Sequence, residues 1–280
     1  MNVYNPDNNN QFAKTHTLKQ SSHNFSNPMR IWITGASRGI GRALAERALK
    51  AGALVAVSGR DKHALESIAP DSPRILTTVF DLRDDKAAQA ATAEIDAKWD
   101  GLDCVVLNAG DCEYVNPCER EKWEGKENAY SRMMEVNFFG AVLCANAALP
   151  LLQKAGGRGL LAAVSSTATL CPLPRASAYG ASKAALSYFV RGLEPHFPDV
   201  DFCVVSPGFV RTPLTARNDF PMPFLMDAPR AAEIIWRGLA ARRKDIVFPK
   251  RLSWILRAIS ALPTPLRRQL WKRMTRQGGS

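Results

Sequence analysis

Between Arg30 and Phe248 the chain alternates short runs dense in aliphatic and β-branched residues with longer stretches of helical spacing, and this alternation limits the folds open to it. The strand-like runs are RIWIT (30–34), LVAVSG (54–59), RILTTVF (74–80), DCVVLNAG (103–110), GLLAAVSS (159–166), DFCVVSPG (201–208) and DIVF (245–248). Helical patterns fall at 40–52, Lys62–Ala69, Asp84–Lys98, Ala129–Gln153, Ser177–Glu194 and Pro229–Arg243. Most of the strand runs are apolar at successive positions, as in strands covered on both faces, which is the habit of parallel sheets. Seven such strands joined by right-handed helical crossovers predict one doubly wound α/β domain over residues 29–248, with a seven-stranded parallel sheet between two helical layers.

The first strand runs into TGASRGIG (34–41), where Gly35, Gly39 and Gly41 stand among Ser37, Arg38 and Ile40. Glycine at a strand-to-helix turn supplies backbone conformations closed to other residues and lets a ligand approach closely. The helix that starts near Ile40 directs its unpaired N–H groups and positive dipole end at the turn, a setting for a pyrophosphate. The spacing Gly-x-x-x-Gly-x-Gly differs from the common Gly-x-Gly-x-x-Gly pattern, and a purely structural bend is the alternative reading of the turn taken alone.

Two further motifs narrow the reading: Asn108-Ala109-Gly110 at the end of the fourth strand, and Tyr179-x-x-x-Lys183 on the helix that follows the fifth. Together with the glycine turn they resemble the short-chain dehydrogenase/reductase family, and the likeness runs from about Arg30 to Val247. Tyr179 and Lys183, four residues apart, share a helix face. An ammonium beside a phenol favours the phenolate, so Lys183 is expected to lower the Tyr179 pKa and fit it for acid/base work on a carbonyl oxygen. Ser166 ends the preceding strand, where its hydroxyl can hold the same oxygen. The resemblance gives that role to the second serine of SST, with Ser165 the alternative. It also matches Asn137, in EVNFFG, to an asparagine supporting a water-linked proton relay to the lysine; an Asn bonding helix backbone at a kink is compatible with this.

The second strand ends Ser58-Gly59-Arg60, without the carboxylate that accepts from a ribose 2′-hydroxyl in NAD-preferring folds. Arg38 and Arg60 can instead bracket a 2′-phosphate with forked, charge-assisted bonds. The resemblance associates such a pair with NADP(H), which is the preferred cofactor here while NAD(H) stays open. It also places Asp81, with Leu82 beside it, near the adenine ring, and Asn108, Ala109 and Gly110 on the cofactor floor. Pro207, Gly208, Val210 and Thr212 of SPGFVRT match the loop that holds the nicotinamide amide. Leu107 stands where the family often has a second Asn, a local packing difference. No metal is expected.

The segment LTARNDFPMPFLMDAP (214–229) is expected to form a lid and, with TLCPLPRAS (169–177), an apolar pocket wall, favouring a hydrophobic or lipid-like ketone, aldehyde or alcohol. No charged residue is evidently placed to grip a carboxylate. The rival reading is a non-catalytic NADP(H) sensor acting through a partner; the intact Asn137, Ser166, Tyr179 and Lys183 argue against it.

The net charge of +11 is uneven: eight Lys or Arg and no Asp or Glu fall between Pro249 and Ser280, which leaves +3 for the remainder. Nucleic acid is disfavoured as a partner, since this tail has no recognised binding fold and no regularly interleaved aromatics. LSWILRAISAL (252–262) and LRRQLWKRMTR (266–276) read as two amphipathic pieces bent apart by Pro263 and Pro265, with Leu266, Leu270 and Met274 on one face of the second. Two readings are balanced: peripheral contact of residues 249–280 with an anionic membrane surface, or docking on the catalytic body near the lid. No run of 18 apolar residues suggests a spanning helix.

Residues 1–28 form a polar, Asn- and Ser-rich leader, expected to be disordered and lacking the apolar stretch of a signal peptide; Met29 immediately before the first strand is a candidate start. Six scattered cysteines without CxxC spacing fit free thiols in a cytoplasmic chain, in which the tail could place the protein on the inner face of the membrane. Ala141, Ala145, Ala148, Ala184, Ala185 and Leu186 suit close helix packing. The resemblance implies a homodimer or homotetramer built on those helices.

Overall fold

The computed structural model describes residues 28–276 except Pro117, Trp123, Lys126 and Glu127; of Arg120 and of residues 273–276 it describes the backbone alone. The leader, Pro28 apart, lies outside the described residues, as does the side chain of Met274.

Seven parallel strands form the central sheet: β1 (Arg30–Thr34), β2 (Leu54–Gly59), β3 (Ile75–Val79), β4 (Cys104–Leu107), β5 (Gly159–Val164), β6 (Val200–Pro207) and β9 (Asp245–Phe248). Their order is β3-β2-β1-β4-β5-β6-β9, so the direction of winding reverses between β1 and β4. The carboxyl ends of strands at such a reversal leave a crevice outside the sheet. A second sheet pairs the short strands β7 (Val210–Arg211) and β8 (Met226–Asp227).

Side-chain alternation along the strands divides the core in two. Ile31, Ile33, Val55, Val57, Cys104 and Val106 pack beneath α1 (Gly39–Lys50), α2 (Lys62–Glu66) and α7 (Ala228–Ala240). Trp32, Ala56, Val105 and Leu107 face α3 (Asp85–Trp99), α5 (Gly140–Gln153) and α6 (Ser177–Leu193) on the other side. Trp32 is fully buried, so its indole N–H needs a partner; it donates to Ser58 Oγ at 2.7 Å, and that hydroxyl lies 2.6 Å from Thr78 Oγ1. Asp84 caps α3 by accepting from Lys86 N and Ala87 N, and Asp61 caps α2 through Ala64 N.

The helix expected at 129–153 is one continuous run in three parts: α4 (Ala129–Met134), a π turn at Glu135–Phe139, and α5. By length and composition this run could cross a bilayer, contrary to the expectation that no spanning candidate exists. Half of its most apolar window is buried in the protein, however, with Cys144, Ala145 and Ala148 wholly inside, and it serves as a core helix. The same burial corrects the expected packing positions. Ala141, Ala145, Ala148 and Leu186 face the chain's own core, while Phe139, Ala184 and Tyr188 are exposed on these helices.

The tail forms α8 (Lys250–Ala261) and α9 (Thr264–Arg276). Leu252 and Leu256 of α8 are buried in a small cluster with Cys171, to which Leu173, Phe209 and Trp271 add. Docking beside the lid therefore holds for this face of α8.

Candidate active site

The crevice at the winding reversal is lined by almost every residue expected to hold a dinucleotide: Gly35, Ser37, Arg38, Gly39, Ile40, Arg60, Asp81, Leu82, Asn108, Ala109, Gly110, Tyr179, Lys183, Pro207, Gly208, Val210 and Thr212. Gly41 is the exception. It is buried beneath the turn, where an added Cβ would lie 2.4 Å from both Asn108 Nδ2 and Gly35 O. Its bareness serves the chain's own packing and not a ligand. Gly35 (φ +65°) and Gly39 (φ +60°) do occupy the left-handed region. A Cβ on Gly35 would also meet Ala109 Cα at 2.6 Å, so the first turn and the end of β4 touch backbone to backbone. Asn108 closes that contact by donating its Nδ2 to Thr34 O and Gly35 O, both at 3.0 Å.

No side chain caps α1: Arg38 stands at its N-cap position in extended backbone, and no acidic residue occupies the first turn. An uncapped helix start beside left-handed glycines and two arginines is a donor set suited to phosphates. Arg60 is 71% exposed and reaches to 4.0 Å from Asp81. Asp81 pairs more closely with Arg83, at 2.8 Å, and that guanidinium holds its carboxyl below the usual range. Arg83 was not anticipated from the sequence; an Asp accepting from the N–H two residues on is the local signal for it.

Asn137 lies inside the π turn, fully buried. Its side chain does not satisfy its own helix, as a kink alone would ask. Oδ1 accepts from Asp111 N at 2.7 Å, and Nδ2 donates to Asp111 O at 2.8 Å and Ser182 Oγ at 2.9 Å. A Cβ placed on Gly110 would meet Asn137 Oδ1 and Lys183 Nζ, each at 3.0 Å, so both groups overhang the same glycine.

Of the two candidate serines, Ser165 turns into the core, bonding Ser187 Oγ (2.6 Å) and Lys183 O (3.1 Å). Ser166 caps the short turn at Thr167–Thr169, accepting from Ala168 N at 3.1 Å, and lines the same pocket as Tyr179. The expectation that Lys183 lowers the Tyr179 pKa does not hold in this structure. Burial of the phenol, followed by the nearby Cys112 thiol, pushes Tyr179 up and outweighs the opposing influence of the Ser166 hydroxyl. Lys183 turns aside to donate to Val164 O at 2.9 Å, and its burial lowers its own pKa to about 8.

A second pocket opens on the far side of Tyr179, which lines both cavities. Leu214, Asn218, Phe220, Pro221 and Pro223 of the expected lid line it, as do Leu173, Pro174 and Arg175 of the expected wall. Tyr114, Cys112, Leu252 and Leu256 also line it and were missed, because nothing local in 111–119 or the tail announces a pocket. Phe220 stacks edge-on to Tyr114 at 4.7 Å and to Phe209 at 6.0 Å. Burial pushes the Cys112 thiol up to about 12, so it is an unreactive wall. One cation, Arg175, does face this pocket, contrary to expectation. Asp219 of the lid holds it at 3.0 Å, and the buried Arg175 Nε has no partner among the described residues.

Residues 29–220 match the model of the short chain dehydrogenase family. An oxidoreductase of Myxococcus xanthus (strain DK1622), itself uncharacterized, is 35% identical over 240 residues, which are 84% of this chain and 92% of that protein. An 11-beta-hydroxysteroid dehydrogenase A of Sesamum indicum is 33% identical over 66% of this chain, and the match spans 53% of that longer protein. Among solved structures, an alcohol dehydrogenase of the archaeon Thermococcus sibiricus, complexed with 5-hydroxy-NADP, superposes with a TM-score of 0.68 at 26% identity, covering 76% of this chain and 91% of the other. Fold, glycine turn and Tyr179–Lys183 helix agree with these likenesses: the chain is an oxidoreductase of the short-chain dehydrogenase family.

Proposed function

We propose that the protein interconverts an apolar or lipid-like ketone or aldehyde and its alcohol, with NADP(H) as the preferred cofactor and Tyr179 as acid/base. The observation that carries this reading is the position of Tyr179 between the nucleotide crevice and an apolar pocket that Ser166 also lines. NADP(H), when bound, supplies or accepts the hydride. The raised pKa keeps Tyr179 protonated at neutral pH, the form an acid needs to protonate a carbonyl oxygen. Ser166 can donate to the same oxygen as charge develops on it. Lys183, titrating near 8, can exchange a proton close to neutrality, and it shares Gly110 with the fixed amide of Asn137. The pocket's aromatic and leucine lining favours an apolar substrate, and the Asp219 pair offsets the Arg175 charge there.

Arg38 and Arg60, both on the crevice, are proposed to hold the 2′-phosphate, with Arg83 close by on Asp81. The exposed Phe139, Ala184 and Tyr188 support a homodimer or homotetramer joined through these helices. The test is NADPH consumption across a panel of apolar ketones and aldehydes. Tyr179→Phe should retain NADPH binding and lose about 10²- to 10⁴-fold in turnover, the usual weight of a positioned proton donor. Arg38→Ala with Arg60→Ala should weaken NADPH by about 1.5–3 kcal/mol per lost charged bond and barely alter NADH. A fully active Tyr179→Phe refutes the acid/base role, and equal losses for both cofactors refute the 2′-phosphate role.

A further inference from the structure

Four of the eight large hydrophobic side chains exposed among the described residues fall within thirteen residues of the tail: Trp254 (70%), Ile255 (46%), Leu262 (37%) and Leu266 (53%). They do not belong to the docked face of α8. Leu252, Ser253 and Leu256 turn inward, whereas Trp254, Ala258 and Ala261, at helical spacing, share the opposite face. Lys250, Arg251 and Arg257 are exposed around that face, and Arg268 and Lys272 are exposed on α9. Arg267 donates to Ser260 O at 3.0 Å and ties the start of α9 back to α8. No Asp or Glu lies anywhere from residue 249 to 280.

We infer that the outer face of α8 and the start of α9 dock on an anionic lipid bilayer, seating the apolar pocket's α8 wall beside the lipid. A Trp amid short apolar residues and ringed by cations is the composition of a helix lying in an interface, where the ring sits among headgroups and the cations meet phosphates. Charge separates the candidate occupants. A second copy meeting this face by two-fold symmetry would set one all-cationic surface on another, which repels. A negatively charged bilayer satisfies both the apolar residues and their cationic surround. The two faces of α8 then have different tasks: Leu252 and Leu256 line the pocket, and Trp254 on the opposite face meets the lipid. A helix is about 10 Å across, so the pocket wall lies that far from the bilayer surface. The docking stands on the tail alone; passage of an apolar substrate from lipid to pocket rests on the carbonyl-reductase reading above.

The experiment is co-sedimentation of the full-length protein with vesicles of phosphatidylcholine, with and without phosphatidylglycerol, at low and high salt, together with turnover of a water-soluble carbonyl. Binding should be at least about tenfold stronger to the anionic vesicles and should fall by about as much in high salt, as polybasic attachment does. Trp254→Ser with Ile255→Ser should remove most of that binding while melting and soluble-substrate turnover stay at wild-type values. Lys250→Gln, Arg251→Gln and Arg257→Gln together should abolish the preference for phosphatidylglycerol. Equal binding to both vesicle types, no binding at low salt, or a Trp254/Ile255 variant that binds vesicles normally but dissociates an oligomer would overturn the proposal. Failure of the carbonyl-reductase reading would appear instead as absent turnover with vesicle binding intact.

Discussion

The nucleotide crevice and the apolar pocket meet at Tyr179 but are built by different means. The crevice is held by backbone: left-handed glycines, Asn108 bonding two carbonyls of the turn, and Asn137 bonding both sides of the Asp111 peptide. The Asn108 and Gly35–Ala109 contacts join the ends of β1 and β4, neighbouring strands of one sheet, so the parallel topology delivers them with little freedom, and Asn137 braces the segment after β4 from the π turn. The pocket is held by side chains from the 111–119 loop, the lid and α8, through aromatic edges and surface ion pairs such as Arg175–Asp219 and Arg217–Asp111. A site made of backbone contacts tolerates little change. One made of side chains on loops can be re-lined while the fold persists, which separates a fixed cofactor from a variable substrate.

Three substitutions sharpen that contrast. The largest effect belongs to the crevice: Gly41→Val drives a side chain into Asn108 and Gly35, 2.4 Å from each. It should cost about 1–3 kcal/mol or more in urea unfolding, with loss of dinucleotide binding. Wild-type unfolding in this variant would break the picture of a rigid half.

Next is the buried ammonium. Lys183 titrates near 8 in the folded protein and near 10.5 unfolded, so between those values the unfolded chain holds more protons and wild-type stability rises with pH. Relative to Lys183→Met, in which that titration is gone, wild type should gain stability by up to ~1.4 kcal/mol per pH unit across this window. The gain should vanish below pH 7. A pH-independent difference between the two proteins would show that Lys183 is not desolvated.

The smallest effect belongs to the pocket. Phe220→Ala removes two edge-on ring contacts, each worth about 0.5–1.5 kcal/mol, and opens the wall. It should raise KM for bulky apolar substrates and leave the cofactor Kd unchanged. A matching loss of cofactor affinity would show that the two halves are not separable.

The same contrast explains what could be read from the chain alone. The seven strands, the glycine turn and the Tyr179–Lys183 spacing are local patterns, and local patterns survive in sequence. Gly41 was assigned to the ligand because a glycine's neighbours across the fold are invisible in one dimension; its partner Asn108 lies 67 positions on. The Tyr179 pKa went the other way because helical spacing shows that Lys183 shares its face but not that burial outweighs its charge. Leu252 and Leu256 were legible as one face of an amphipathic helix, yet which surface that face would meet is a tertiary fact. Tyr114 carried no signal at all, since a lone aromatic in an irregular loop has no periodicity to read.

The central claim is that a hydride crosses from the crevice to a carbonyl held in the apolar pocket beside Tyr179. The direct measurement uses NADPH deuterated at the transferable position, incubated with the wild-type protein and a panel of apolar ketones. The account predicts deuterium on the carbinol carbon of at least one product, a transfer lost in Tyr179→Phe although that variant still binds NADPH. Binding of NADPH by wild type with no label passed to any apolar carbonyl would contradict it.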